Sequence, residues 1–189
     1  MKAEDKIYGA FFRTKLQKLY FYQLKEETKL SNSSLQNILT KLIKQNILKQ
    51  EKTKQNNYYI IKNKKLFALK FSEIALNKFN NLNPNVKTPL RNFLKNIPQN
   101  IFTIILFGSA SIKQEQNNSD IDLLVISENN INLKQNKKQA ELTSKYEISI
   151  FTNNINNFLE NKDDLVIQAR KTGFPIFKEQ NFYEVLLNE

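Results

Sequence analysis

The stretch that decides the fold is IFTIILFGSASIKQEQNNSDIDLLVIS, residues 101–127. An apolar run stops at Gly108-Ser109, a polar segment follows, and Asp120 and Asp122 stand at the head of a second apolar run. The chain has only three glycines, and a glycine permits a tight turn to which a ligand can come close. We therefore predict two buried strands that are connected through a glycine turn.

The two aspartates are expected to share one face of the second strand, because side chains i and i+2 of a strand point the same way. Carboxylates at this spacing repel each other, and a divalent cation relieves the repulsion. A third ligand is expected from the next strand, YEISIF (residues 146–151), whose only carboxylate is Glu147. The sequence thus predicts a metal site at Asp120, Asp122 and Glu147.

Composition restricts the chemistry that such a site can perform. The chain contains no cysteine and no histidine, which excludes thiolate and histidine metal sites and histidine-based catalysis. Carboxylates, hydroxyls, lysines and a hard cation such as Mg²⁺ or Mn²⁺ remain. Ser109 offers a hydroxyl and a backbone N–H at a predicted helix start, where phosphate can bind. These are the ingredients of phosphoryl or nucleotidyl transfer, although an ordinary turn before an ordinary strand is the alternative.

The pattern Gly-Ser, ten residues, Asp-x-Asp resembles the signature of the minimal nucleotidyltransferases in the DNA polymerase beta superfamily. The similarity covers about residues 90–187. The tail RKTGFPIFKEQNFYEVLL is similar to the family's closing segment, in which a glycine precedes an apolar strand and a last short helix. By this resemblance, the nucleotide-binding residues are Gly108 and Ser109, and the catalytic and metal-binding residues are Asp120, Asp122 and Glu147.

The segment after Gly-Ser departs from the family's pattern. In the family, the segment after Gly-Ser usually contains a small residue, then a basic residue and then a second glycine. Residues 110–114 read Ala-Ser-Ile-Lys-Gln, so Lys113 stands where the glycine is expected. This departure predicts slow turnover, with the Lys113 amine partly compensating by pairing with the triphosphate.

Positive charge is concentrated in the first part of the chain. Residues 1–80 contain 17 Lys and Arg against 6 Asp and Glu, whereas residues 81–189 contain 12 of each. A general bias toward lysine and asparagine would spread over both parts. The asymmetry therefore predicts that the N-terminal part meets a polyanion.

The basic part contains a predicted helix-turn-helix that is followed by a hairpin. Apolar residues recur at helical spacing over residues 35–43, with Ser33 or Ser34 as the cap. Two short strands follow at Ile47–Lys49 and Tyr58–Ile61. This order resembles a winged helix-turn-helix, whose helix can enter the major groove while hairpin lysines contact phosphates. The predicted nucleic-acid-binding residues are Ser33, Ser34, Asn37, Lys41, Lys44, Lys52 and Lys54.

The predicted fold class is α+β. A winged helix-turn-helix domain (residues 5–76) precedes a nucleotidyltransferase domain (residues 86–189) with a short mixed sheet flanked by helices, and the asparagine-rich residues 77–89 form a connector. This combination resembles an archaeal-type arrangement. It implies an Mg²⁺-dependent enzyme that transfers a nucleoside monophosphate, most directly AMP from ATP, to an acceptor hydroxyl. Four phenylalanines are expected in the core, at positions 151, 158, 174 and 177.

A second interpretation stays open, in which the chain is a DNA-binding transcriptional regulator. Its nucleotidyltransferase domain would then be inactive and would act as a nucleotide sensor or dimerisation unit; winged helices also serve as protein–protein modules. Expected partners are a nucleoside triphosphate and DNA, with a protein acceptor and a homodimer as further options. No apolar run approaches the roughly 20 residues of a membrane span, and no signal-peptide pattern is present, so a cytoplasmic protein without a membrane partner is expected.

Overall fold

The computed structural model describes residues 2–117 and 119–189. The chain divides into two compact units, the first comprising the residues up to Ile74 together with Tyr183–Glu189, and the second comprising Ala75–Phe182. The predicted domain limits, 5–76 and 86–189, stay predictions. In chain order the elements are α1 (Ala3–Thr14), β1 (Lys18–Tyr20), α2 (Phe21–Thr28), α3 (Asn32–Lys44), β2 (Leu48–Lys52), β3 (Asn57–Ile61), α4 (Lys64–Asn80), α5 (Pro84–Phe93), β4 (Ile101–Phe107), α6 (Gly108–Ser111), β5 (Ile121–Ser127), α7 (Lys134–Glu141), β6 (Ile148–Asn154), α8 (Ile155–Glu160), α9 (Asp164–Thr172), β7 (Phe174–Phe177) and α10 (Glu179–Asn188).

The first unit contains three strands that form an antiparallel sheet in the order β1-β3-β2. Strands β2 and β3 form the predicted hairpin, in which Leu48 pairs with Ile61 and Lys52 pairs with Asn57. The first strand of the hairpin ends at Lys52, three residues beyond its predicted end at Lys49. The predicted order of helix, turn, helix and hairpin is present.

Helix α3 starts earlier than the sequence suggested. Its N-cap is Ser31, whose hydroxyl accepts a hydrogen bond from the backbone N–H of Ser34 at 3.3 Å. The predicted cap at Ser33 or Ser34 is therefore wrong, because the Ser31 oxygen already satisfies the donor that a cap must serve. The inward side of the helix is the predicted apolar one, with Leu35, Leu39 and Leu42 buried.

An aromatic cluster forms much of the core of the first unit. The Phe67 ring of α4 meets Tyr8 and Phe11 of α1 edge-to-face, with ring centroids 5.0 and 5.3 Å apart. Phe71, one turn further along α4, meets Tyr183 of α10 at 5.5 Å. Aromatic pairs of this geometry contribute about 0.5–1.5 kcal/mol beyond their area burial. The cluster explains why the last residues of the chain belong to the first unit.

The second unit contains a four-stranded mixed sheet in the order β6-β5-β4-β7. Strands β5 and β6 run parallel, whereas β4 pairs antiparallel with both β5 and β7. The predicted α+β class and mixed sheet are confirmed. Of the phenylalanines predicted to lie in the core, Phe158 and Phe174 are buried and Phe177 is half-buried. The prediction for Phe151 is wrong, because β6 lies at an edge of the sheet and leaves that ring exposed.

The predicted connector at residues 77–89 is mostly helical. Helix α4 extends into it, and only three residues separate α4 from α5. Asn83 caps α5 by accepting a hydrogen bond from the Asn85 backbone N–H at 3.2 Å. Pro84 occupies the first helical position, where the missing N–H costs no hydrogen bond. Proline and asparagine therefore start a helix here instead of preventing one.

The closing segment has the predicted order of glycine, strand and helix. A Cβ on Gly173 would lie 2.6 Å from the carbonyl oxygens of both Ala169 and Leu106, so only glycine fits between α9 and β4. Strand β7 then pairs with β4. Across the residues that the structure describes, no helix is long and apolar enough to cross a membrane.

Candidate active site and nucleic-acid surface

The glycine turn and one aspartate are built against each other. Strand β4 ends at Phe107, and Gly108 follows with φ +68°, a conformation that favours glycine. A Cβ on Gly108 would lie 2.2 Å from Oδ2 of Asp122. The carboxylate thus occupies the space that a side chain at position 108 would need, which explains the position of this glycine.

Asp120 and Asp122 lie together at the start of β5, as predicted. Asp120 is exposed just before the strand, and Asp122 is half-buried within it, opposite Phe107. Burial, and then the charge of Asp120, raise the pKa of Asp122 above its ordinary value of 3.8. Ionisation of Asp122 therefore costs free energy in this fold, and a bound cation would offset that cost.

Ser149 is a site residue that sequence analysis missed. Parallel pairing of β5 and β6 places Ser149 opposite Asp122. Its hydroxyl donates a hydrogen bond to Oδ2 of Asp120 at 3.0 Å, which orients that carboxylate. The only signal in the sequence is strand alternation, which puts Ser149 on the same face as Glu147.

Glu147 is exposed and lies just before β6. Its backbone carbonyl accepts a hydrogen bond from the Ile121 N–H at 2.8 Å. Within residues 2–117 and 119–189, no three acidic side chains form a group that could hold a metal ion. The structure brings together two of the three predicted carboxylates, and the metal-binding role of Glu147 stays a prediction.

The loop after Gly108 has a left-handed residue where the family's second glycine was expected. Lys113 has φ +59°, which costs a residue with a side chain roughly 1–2 kcal/mol. Backbone hydrogen bonds hold the loop, with the Ser109 carbonyl accepting from the Gln114 N–H at 3.0 Å. The Ser111 hydroxyl donates to the Gly108 carbonyl at 2.7 Å. The backbone thus keeps a glycine-like conformation without the glycine.

Most of the predicted nucleic-acid-binding residues are exposed on α3 and the β2–β3 hairpin. Ser34 is half-buried in the first turn of α3. Lys41 forms an ion pair with Glu4 of α1, with Nζ 2.6 Å from Oε2, so its amine is already engaged. The exposed residues are Ser33, Asn37, Lys41, Lys44, Lys52 and Lys54.

The glycine turn that follows β4 packs against the aspartate pair at the start of the neighbouring strand β5. A site of this kind is what nucleotidyl transfer requires. Residues 89–182, just under half of the chain, match the family model described as Polymerase beta, Nucleotidyltransferase. This match identifies a nucleotidyltransferase domain of that kind within the second unit, as the sequence pattern predicted.

One solved structure, described as the crystal structure of the toxin-antitoxin with AMP-PNP, is 23% identical to this chain. The alignment covers 55% of this chain and 82% of the other, with a TM-score of 0.37. This likeness is too distant to support an argument about fold or ligand. A comparison with curated proteins finds no match.

Proposed function

We propose that the second unit transfers a nucleoside monophosphate, most directly AMP from ATP, to an acceptor hydroxyl. The observation that carries this proposal is the contact between the glycine turn and the acid pair. The Asp122 carboxylate fills the space beside Gly108, so a triphosphate on the turn would lie next to both aspartates.

Asp120 and Asp122 suit a hard divalent cation such as Mg²⁺ or Mn²⁺, because they are oxygen ligands that lie together at the start of β5. The raised pKa of Asp122 supports this fit, since burial and the charge of Asp120 make the ionised form costly without a cation. When bound, such a metal neutralises charge that develops on the transferring phosphoryl group. Ser149 would help by keeping the Asp120 carboxylate oriented through its 3.0 Å hydrogen bond.

Other residues of the chain would bind the triphosphate and accept the proton. Gly108 and Ser109 would hold the triphosphate through the backbone and the Ser109 hydroxyl. The oxygen of the acceptor hydroxyl would form a bond to the α-phosphorus, and Glu147 would accept the proton of that hydroxyl. The bond between the α-phosphorus and the leaving pyrophosphate breaks in the same step. Lys113 would pair with the triphosphate, but its position in a strained loop supports slow turnover.

Glu147→Gln is expected to separate chemistry from binding. The variant should bind ATP as wild type does, yet label an acceptor about 100-fold or more slowly, since a lost general base typically costs 10²–10⁴ in rate. The measurement is single-turnover labelling with radioactive ATP, Mg²⁺ and an extract of the source organism, with ATP affinity determined by calorimetry. Glu141→Gln, an exposed change on α7, is the matched control and should label at the wild-type rate.

Two results would contradict this assignment. Full activity in Glu147→Gln would move the general base elsewhere. Glu115, whose Oε2 is buried without a hydrogen-bond partner among residues 2–117 and 119–189, would be the next residue to test. Wild type that binds ATP but labels no acceptor would favour the second interpretation, a DNA-binding regulator with a nucleotide-sensing domain.

We further propose that the first unit is a winged helix-turn-helix that binds duplex DNA. Support comes from the exposed polar side of α3, the β2–β3 hairpin and the net charge of +11 over residues 1–80. Lys52 ends β2 and Lys54 lies in the turn, where an extended hairpin can follow a phosphate backbone. The Lys41–Glu4 ion pair would have to open for Lys41 to contact phosphate.

The Lys52→Ala, Lys54→Ala variant should bind DNA more weakly and show a salt slope that is shallower by about 2, since each phosphate contact contributes roughly 0.9 to the slope. The measurement is fluorescence anisotropy of a labelled duplex over a range of salt. Lys64→Ala with Lys65→Ala removes the same charge from the start of α4 and should leave the slope near wild type. Equal effects of the two pairs would mean that total charge, and not the hairpin, governs binding.

A further inference from the structure

The ring of Phe151 is the starting observation. It is 39% exposed, and it is the one exposed phenylalanine among the 14 in the chain, all of which the structure describes. Two other phenylalanine side chains of the same unit, Phe158 and Phe174, are at most 1% exposed. An exposed aromatic ring beside a candidate site offers a flat apolar face to a planar aromatic ligand.

Phe151 lies on the same face of the sheet as Asp122. Cross-strand partners share a face, and the register pairs Asp122 with Ser149 and Leu124 with Phe151. Two residues of strand span roughly 7 Å, so Phe151 follows Ser149 at that distance along β6. The Phe151 ring also packs on Phe107, with centroids 5.9 Å apart and planes at 54°. Phe107 immediately precedes the glycine turn, so the ring is tied to the same turn as the aspartates.

We propose that Phe151 is the surface on which the base of the bound nucleoside triphosphate stacks. This inference rests on the proposed function, because it requires the triphosphate to lie on the Gly108 turn. A ribose separates the α-phosphate from the base by a distance comparable to that between Ser149 and Phe151. The base is the one planar, aromatic part of such a substrate, and aromatic rings bind bases face to face with little regard to their identity.

Asn153 gives the surface a polar side. It lies two residues beyond Phe151, on the same face of β6. Its side-chain oxygen accepts hydrogen bonds from the Asn154 backbone N–H and from the Asn157 side chain, both at 2.9 Å. With its oxygen engaged, the Asn153 amide has N–H donors to offer a ligand, which suits the acceptor nitrogens at the edge of a base.

The test compares a ligand that has a base with one that lacks it, on the full-length protein. Calorimetry would measure the Mg²⁺-dependent binding of ATP and of inorganic tripolyphosphate. Phe151→Leu keeps an apolar contact with Phe107 but removes the aromatic face, and it should weaken ATP binding about tenfold or more while leaving tripolyphosphate binding unchanged. Phe151→Trp should keep ATP affinity. Leu142→Ala, which removes a side chain 79% exposed on the same unit, is the control and should bind both ligands as wild type does.

The outcomes separate this inference from the proposed function. If wild type binds both ligands and Phe151→Leu binds ATP equally well, the stacking surface is refuted and the proposed function stands. If Phe151→Leu loses both ligands to the same extent, the residue supports the fold of the site and the stacking role is likewise refuted. If wild type binds neither ligand, the proposed function fails and this inference fails with it.

Discussion

Gly108→Ala should destabilise the protein by about 3 kcal/mol, since left-handed strain costs roughly 1–2 kcal/mol and overpacking roughly 1–3 kcal/mol. Two causes act together. The residue has φ +68°, and the new Cβ would lie 2.2 Å from Oδ2 and 3.2 Å from Cγ of Asp122. For a chain of this length the melting temperature should fall by about 10 °C, and Mg²⁺-dependent ATP binding should be lost with the displaced carboxylate. Differential scanning calorimetry and ATP titration are the measurements.

Gly9→Ala is the matched control for the same chemical change. Gly9 lies within α1, and a Cβ there would meet only the half-exposed guanidinium of Arg13, at 3.0 Å, which pairs with Glu27 and can shift outward. Alanine is favoured over glycine inside a helix by roughly 0.8–1 kcal/mol. The control should therefore be as stable as wild type or more so.

A double-mutant cycle identifies the cause of the Gly108→Ala effect. Asp122→Ala removes the two atoms that clash most and leaves the Asp122 Cβ at an ordinary 3.5 Å. The double variant should therefore lose less stability than the sum of the single changes, with a coupling energy of about 1–2 kcal/mol. Strictly additive effects would show that backbone strain alone, and not the carboxylate, requires glycine.

Asp122→Asn should raise the stability of the metal-free protein and abolish its response to metal. In wild type, Mg²⁺ or Mn²⁺ should raise the melting temperature, and more so with ATP, because a ligand at 100 times its Kd stabilises by about 2.7 kcal/mol. Asp122→Asn should lose this increase, as should the double variant Asp120→Asn, Asp122→Asn. Labelling activity should fall by at least about 100-fold. Loss of a residue that only hydrogen-bonds to a metal ligand typically costs 10–100-fold, and loss of the ligand itself should cost more.

The pKa of Asp122 predicts how the stability of the metal-free Asp122→Asn variant, relative to wild type, changes with pH. Burial and the charge of Asp120 raise the pKa of Asp122 in the fold above its ordinary value of 3.8. Ionisation of Asp122 therefore destabilises the fold. Its cost is absent below pH 3.8, grows as the pH rises toward the raised value and is complete above it. The advantage of Asp122→Asn over wild type should follow this course.

Asp164→Asn is the control for the asparagine substitution. Asp164 is an exposed residue in the first turn of α9, so its replacement should leave the metal-induced increase intact. An equal metal response in Asp122→Asn and wild type would refute the assignment of this aspartate as a metal ligand.

Local sequence patterns were enough to predict several parts of this molecule. The apolar run before Gly108 and the alternation after Asp120 predicted β4 and β5, because strand periodicity depends on neighbouring residues alone. The inward side of α3 followed in the same way from helical spacing. Gly108 and the Asp120–Asp122 pair were likewise predicted from spacing, and the structure brings them together.

What the sequence by itself determined is therefore the strands β4 and β5, the buried face of α3 and the aspartate pair beside the glycine turn. Tertiary structure alone decided which residues meet across elements. The hydrogen bond from Ser149 to Asp120 depends on the parallel register of β5 and β6, and the exposure of Phe151 depends on the edge position of β6. The Lys41–Glu4 ion pair joins α3 to α1 and depends on where the fold places the two helices. The physical reason is that strand order, register and helix packing are set by long-range burial of side chains, which no local pattern records.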